Sequence, residues 1–162
     1  MTYSTAMEQV EALRTRKVSA AELLDQAVRR IELHDPKVNA IIVRDFDRAQ
    51  ADARAADIAL SGGDRRPLLG LPMTVKEAFN VAGLPTTWGL PGTMDIPVTA
   101  DAVVVERLRA AGAIIIGKSN VAAMLADWQS ANPVYGATRN PWDLDRTPGG
   151  RTCSHAILLT HD

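Results

Sequence analysis

Lys76 stands at the end of an apolar run, Leu71-Pro72-Met73-Thr74-Val75, and is followed by Glu77 and a loop through Asn80 and Gly83 to Thr87. An amine at a strand end reaches a site from a rigid element. It can lose its proton to burial and act as a base, or it can sit solvated where strand meets loop. A lysine ordinarily titrates near 10.4. A lysine base at neutral pH therefore needs that value lowered by about three units, about 4 kcal/mol. Lys118 is a second candidate. Gly112, Gly117, Lys118 and Ser119 fit the spacing of a phosphate-binding loop. Such a loop needs flexible backbone after a strand, so that its N–H groups can wrap phosphates. Here the intervening residues are Ala113 and three isoleucines, which are strand residues themselves. The match reads as accidental, with Ser119 as a cap or turn residue. A third group is Cys153, His155 and His161. Their spacing fits no compact zinc pattern and a fourth ligand is lacking.

The elements that would position Lys76 follow from periodicity. Ser4 is a plausible cap for a helix with Met7, Val10 and Leu13 on one face. Ser19 and Glu22 form a capping-box pattern that opens a second helix. Its stripe is Leu23, Leu24, Ala27, Val28 and Ile31, and Asp35-Pro36 closes it. A short apolar strand follows over residues 39–43, then an alanine-rich helix over 45–60 ended by Gly62-Gly63. The Lys76 strand leads into a long loop rich in Gly, Pro and Thr, the kind that is usually functional when ordered. A helix from residue 100 or 101 to 111 buries Val104, Leu108 and Ala111, and Gly112 stops it. Residues 113–117 read as a strand buried on both faces, and residues 120–126 as a short helix. Strand, helix, strand is a βαβ unit, so the fold class is α/β with a parallel pair.

Composition narrows the classes. The 162 residues are 46% hydrophobic with a net charge of -1, a globular balance with no basic block. Nucleic-acid binding therefore has no electrostatic support. No apolar run approaches the roughly 20 residues that span a bilayer, and no leader is visible at the N-terminus. One cysteine excludes an internal disulfide. The expectation is a cytoplasmic protein.

The blocks from Leu68 onward carry a resemblance. Leu71-Pro72-Met73-Thr74-Val75-Lys76-Glu77, then Val81-Ala82-Gly83-Leu84-Pro85-Thr86-Thr87, resembles the amidase signature family. So do Asp101-Ala102-Val103-Val104 with Leu108-Arg109-Ala110-Ala111-Gly112-Ala113, and Ile116-Gly117-Lys118-Ser119-Asn120. Gly136-Ala137-Thr138-Arg139-Asn140-Pro141-Trp142-Asp143-Leu144, running into Arg146-Thr147-Pro148-Gly149-Gly150, completes the order. The resemblance implies a helical N-terminal lead-in, then part of an amidase-signature-like mixed sheet with covering helices, an incomplete domain. It implies hydrolysis of a small-molecule amide to carboxylate and ammonia by a Ser–Ser–Lys triad, with no cofactor and no metal. Lys76 would be the catalytic lysine, taking a proton through a bridging serine from the nucleophilic serine. No family motif gives Lys118 that role. The likeness is loosest over residues 121–130, where amidotransferase relatives are more acidic, and this favours a general amidase.

The sequence departs from the family after Gly150. Arg151 stands where the bridging serine is expected, and a guanidinium has no acid–base use near neutral pH. The nucleophile would fall beyond Asp162. Residues 1–150 thus read as the N-terminal portion of an amidase-signature domain. Residues 151–162 read as a divergent tail, out of frame or misjoined. The expected function is that of an amidase-family protein inactive in this form. The alternative is a non-enzymatic partner-binding module, or a complementing half of an amidase or amidotransferase subunit that associates with a missing C-terminal half.

Overall fold

The computed structural model describes residues 5–149. In chain order these form α1 (Ala6–Arg14), α2 (Ala20–Val38), β1 (Ile41–Arg44), α3 (Phe46–Ser61), β2 (Pro72–Lys76), α4 (Val103–Ala110) and β3 (Ile114–Ser119). A single 3-10 turn (Ala123–Leu125) and a two-stranded ribbon of β4 (Ala131–Asn132) and β5 (Gly136–Ala137) follow. The fold is mixed α/β, as expected.

The helices begin where side chains can take up their free N–H groups. Thr5 and Glu8 form a capping box on α1, and Ser19 and Glu22 form one on α2. Ser4, the cap expected for α1, lies outside the described residues, and the cap falls one position later. Val10 and Leu13 are buried, whereas Met7 is 78% exposed, so only the latter part of α1 packs inward. The α2 start is also held from outside. The Asp57 carboxylate of α3 accepts from Ala20 N (2.6 Å) and Ala21 N (3.2 Å), fixing the two helices against each other.

Pro36 does not close α2. It sits in the last turn, where it forfeits one backbone bond, and the helix continues to Val38. Asn39 then stops it in the left-handed conformation (φ 57°, ψ 51°). Asp35 stabilises this exit: its buried carboxylate accepts from Ala40 N (2.7 Å) and Ile41 N (3.1 Å) and pairs with Arg44 at 2.9 Å.

The sheet order is β1-β3-β2, with β1 antiparallel and β2 parallel to β3. The βαβ unit expected from the sequence is therefore present, with α4 as its crossover. One face of the sheet carries α1, α2 and α3. There Leu24, Ile31, Ala49, Ala53 and Leu60 pack on Ile114 and Ile116. The small alanines let the helices approach the sheet closely. On the other face Val75, Val81, Val105 and Ile115 form a second core under α4. Val105 is the fully buried residue of α4, whereas Val104 is 40% exposed. Every residue of β3 is buried, as its position between β1 and β2 requires. Residues 120–126, expected as a short helix, form only the 3-10 turn.

Candidate active site

Lys76 is the last residue of β2, and its Cα lies opposite Ser119 at the end of β3. The backbone bond from Glu77 N to Ser119 O (2.9 Å) closes the pairing, and Phe79 N turns back onto Lys76 O (3.0 Å). The amine is thus carried by the carboxyl end of a parallel strand, where α/β folds place their ligands. The half-buried Lys76 lines a cavity of about 10 Å³ together with Asn120, Val121, Leu125, Asp127, Trp128 and Ser130. That is room for about one water molecule.

Asn120 lines that cavity. It is buried, and its amide donates to Gly136 O (3.1 Å) and Thr138 Oγ1 (3.0 Å). Its own oxygen accepts from Val121 N (2.9 Å) and Asn132 Nδ2 (2.8 Å). Asn132 in turn accepts from Val134 N and Tyr135 N. Two buried side-chain amides therefore satisfy the backbone of the 130–138 segment and hold it beside Lys76. Across the cavity Met124 (φ 51°) and Leu125 (φ 58°) are left-handed, and so is Trp88 (φ 53°) nearby. Such strain at residues other than glycine gathers at functional sites.

Lys118 does not share the cavity. A bulge in β3 explains why: Met73 pairs with Ile115, but Thr74 pairs with Gly117, so Ile116 is the extra residue. The bulge reverses the alternation, and Lys118 falls beside Val75 on the α4 face. There its ammonium donates to Pro85 O (2.5 Å) and Thr86 Oγ1 (2.8 Å). Burial lowers its pKa to about 8, and the Glu77 carboxylate pulls it back up. A perturbed value marks functional and structural lysines alike. Geometry decides here. The Lys118 side chain is fully buried and two of its three N–H groups are given to the loop, which sets it apart from the Lys76 cavity.

Ser119 is a buried strand residue whose hydroxyl lies 3.5 Å from Val75 O, not a cap or turn. Residues 112–119 hold no phosphate loop, since the strand runs from Ile114 through Gly117 to Ser119 and the second glycine is a paired strand residue, not the edge of a loop. Gly117 is required by contact: a Cβ there would lie 2.3 Å from Val43 O. Arg151, Cys153, His155 and His161 lie outside the described residues. Among the described residues no group of three or more His, Cys, Asp or Glu side chains is placed to hold a metal ion. No helix among them is long and apolar enough to cross a membrane. Glu77 and Asn120 were not singled out from the sequence. A charged residue next to Lys76, and an Asn at a strand exit, were the available signals.

The geometry is that of an α/β fold with a lysine at a parallel strand end, beside a small cavity bounded by an asparagine-held segment. Comparison with known proteins gives the family. The Amidase family model matches residues 22–152, and the chain belongs to that family. AmiB2 of Mycobacterium bovis, named as an amidase, is 44% identical over 159 residues, which is 98% of this chain and 34% of that protein. A glutamyl-tRNA(Gln) amidotransferase subunit of Roseiflexus castenholzii is 40% identical over 155 residues, 96% of this chain and 32% of its own. A bacterial aryl acylamidase of the amidase signature family superposes with a TM-score of 0.89 at 25% identity, over 97% of this chain and 33% of that one. The chain spans about a third of the length of the curated relatives it matches.

Proposed function

We propose that this chain supplies the lysine of a Ser–Ser–Lys amide-hydrolysing site, and that the whole protein converts a carboxylic amide to carboxylate and ammonia. Lys76 is the base. It takes a proton through a bridging serine from the nucleophilic serine, whose hydroxyl then attacks the amide carbonyl. The observation that carries this reading is the placement of the Lys76 amine. Lys76 ends a rigid strand and lines the small cavity, and no ion pair engages it among the described residues. Among the described residues, Ser119 is paired opposite Lys76 and Ser130 lines the same cavity, and both are buried. A polypeptide of these 162 residues alone is accordingly proposed to show no turnover.

The partner proposed is the remaining two thirds of an amidase domain. Trp128, which lines the Lys76 cavity, and Trp88 and Met124, joined by a backbone bond beside it, are large apolar residues left 45–73% exposed. Surface of that kind marks an interaction face. The likeness to an amidotransferase subunit supports a second reading, in which the same lysine works in one component of a larger enzyme. Residues 121–130, which resemble that group least, form the cavity wall and would set the difference.

A chimera tests the base assignment. Residues 5–149 replace the matching third of the aryl acylamidase, whose own aryl acylamide provides the assay. The chimera is expected to turn over, and Lys76→Ala to lower kcat by about 10²–10⁴-fold. A Lys76→Ala chimera within about 3-fold of its parent, well short of a base's contribution, would overturn the assignment.

A further inference from the structure

We propose that Glu77 and Lys118 are a pair of positioning residues that grip the 85–89 loop from two sides and, through Trp88, fix the wall of the Lys76 cavity. The inference rests on Lys76 being the working amine.

Both side chains are fully buried, and they come from neighbouring strand ends on one face of the sheet. The Glu77 carboxylate accepts from Thr87 N (2.5 Å), Trp88 N (3.1 Å) and the Tyr135 hydroxyl (3.3 Å). The Lys118 ammonium donates to Pro85 O and Thr86 Oγ1. Four consecutive loop residues are thus each held by one of two buried charged groups, amides by the acid and oxygens by the amine. Burying such groups is costly, and breaking one partner leaves the other uncompensated. A loop that only joins a strand to a helix needs neither.

What the grip controls lies one contact away. Trp88 O accepts from Met124 N (2.8 Å), joining the loop to the 123–125 turn. Gly89 packs so closely on Asn132 that a Cβ would lie 2.6 Å from it. Leu125 and Trp128, at the end of that turn and just beyond it, line the cavity with Lys76. Of five left-handed residues other than glycine among the described residues, Trp88, Met124 and Leu125 sit at this junction. Strained residues persist only where the surroundings over-determine them. The two buried charges supply that constraint from the loop side.

The chain has four lysines, Lys17, Lys37, Lys76 and Lys118, which makes a direct test practical. Reductive ¹³C-methylation labels accessible amines and leaves the buried Lys118 unmarked, and Lys76→Arg assigns the Lys76 signal. Glu77→Gln is expected to speed amide exchange at Thr87, Trp88 and Met124 by about 10-fold or more, and to shift the Lys76 methyl resonance. Ala40 and Ile41, whose amides Asp35 holds, are expected to keep their protection. Thr86→Val removes one Lys118 partner and leaves both charges in place. It is expected to give the same pattern at a smaller amplitude. Faster exchange at Thr87 and Trp88 with Met124 and Lys76 unmoved would show that the grip ends at the loop. Equal acceleration at Ala40 and Ile41 in both variants would show a general stability effect, and either result overturns the proposal. Neither readout needs turnover, so a failed base assignment in the chimera leaves this test standing.

Discussion

Lys118 makes stability depend on pH in a direction opposite to that of most lysines with a partner. Its pKa falls from 10.5 to about 8, chiefly because burial penalises the ammonium, with the Glu77 carboxylate working the other way. Above about 8 the folded amine releases its proton, while the unfolded chain holds it up to 10.5. The unfolded state then binds more protons, so stability rises with pH. The gain is complete above the unfolded value and is lost as pH falls through about 8. Integrated from about pH 7 to about pH 9.5, it amounts to ~2 kcal/mol, or ~4–8 °C in Tm for a chain of this size. The side chain has no exposed surface, yet its ammonium lies close to the protein boundary, so solvent screening makes this figure an upper limit.

The assay is thermal unfolding of the dilute chain followed by tryptophan fluorescence at half-unit pH steps. The window stops below pH 10 because burial holds Tyr135 above its usual value. A tyrosine raised in the folded state lowers stability as pH climbs past 10. Wild type is expected to gain Tm across the window, and Lys118→Met to show a flat profile. The slope is the readout. The absolute Tm of the variant also contains the loss of donors to Pro85 O and Thr86 Oγ1. A flat wild-type profile would mean that the Lys118 amine is solvated. A slope that survives in Lys118→Met would assign the proton to another group.

Two further outcomes follow from packing. Gly117→Ala forces a Cβ against Val43 O and should destabilise by ~2–4 kcal/mol, read from the urea midpoint. An unchanged midpoint would mean that β1 and β3 do not approach as closely as the structure places them. The isolated chain should bind a dye that reports apolar surface, given the exposure of Trp88, Ile96, Val103, Trp128 and Trp142. A dye-silent monomer melting above about 60 °C would show that this surface is closed.

Much of the fold was legible because its signals are local. The Ser19–Glu22 box, the alanine periodicity of α3 and the β-branched run of β3 each specify an element without help from distant residues. The failures are places where tertiary contacts decide. Pro36 looked like a stop, yet the actual stop is Asn39, stabilised by an Asp35 carboxylate that reaches forward to Ala40 and Ile41. In α4 three consecutive valines, Val103 to Val105, allow more than one apolar stripe. Contact with Val81 and Ile115 selects Val105. The short helix expected after Asn120 gave way because Asn120 and Asn132 spend their amides on the 130–138 segment and on Val121.

The site divides along the same line. Lys76 could be placed at a strand end from alternation in β2 alone, since nothing irregular intervenes on its own strand. The facing of Lys118 could not. Regular alternation from Ile114, which packs on the α2–α3 side, would have sent Lys118 to that side too. The extra residue at Ile116 turns it to the α4 face, where Glu77 and the loop await it. Gly117 makes the bulge possible by letting the Val43 carbonyl come within what would be 2.3 Å of a side chain. The Gly117-Lys118 pair that imitates a phosphate loop in the sequence therefore has a different physical origin. The glycine admits β1, the bulge redirects the lysine, and the lysine holds the loop at Pro85 and Thr86.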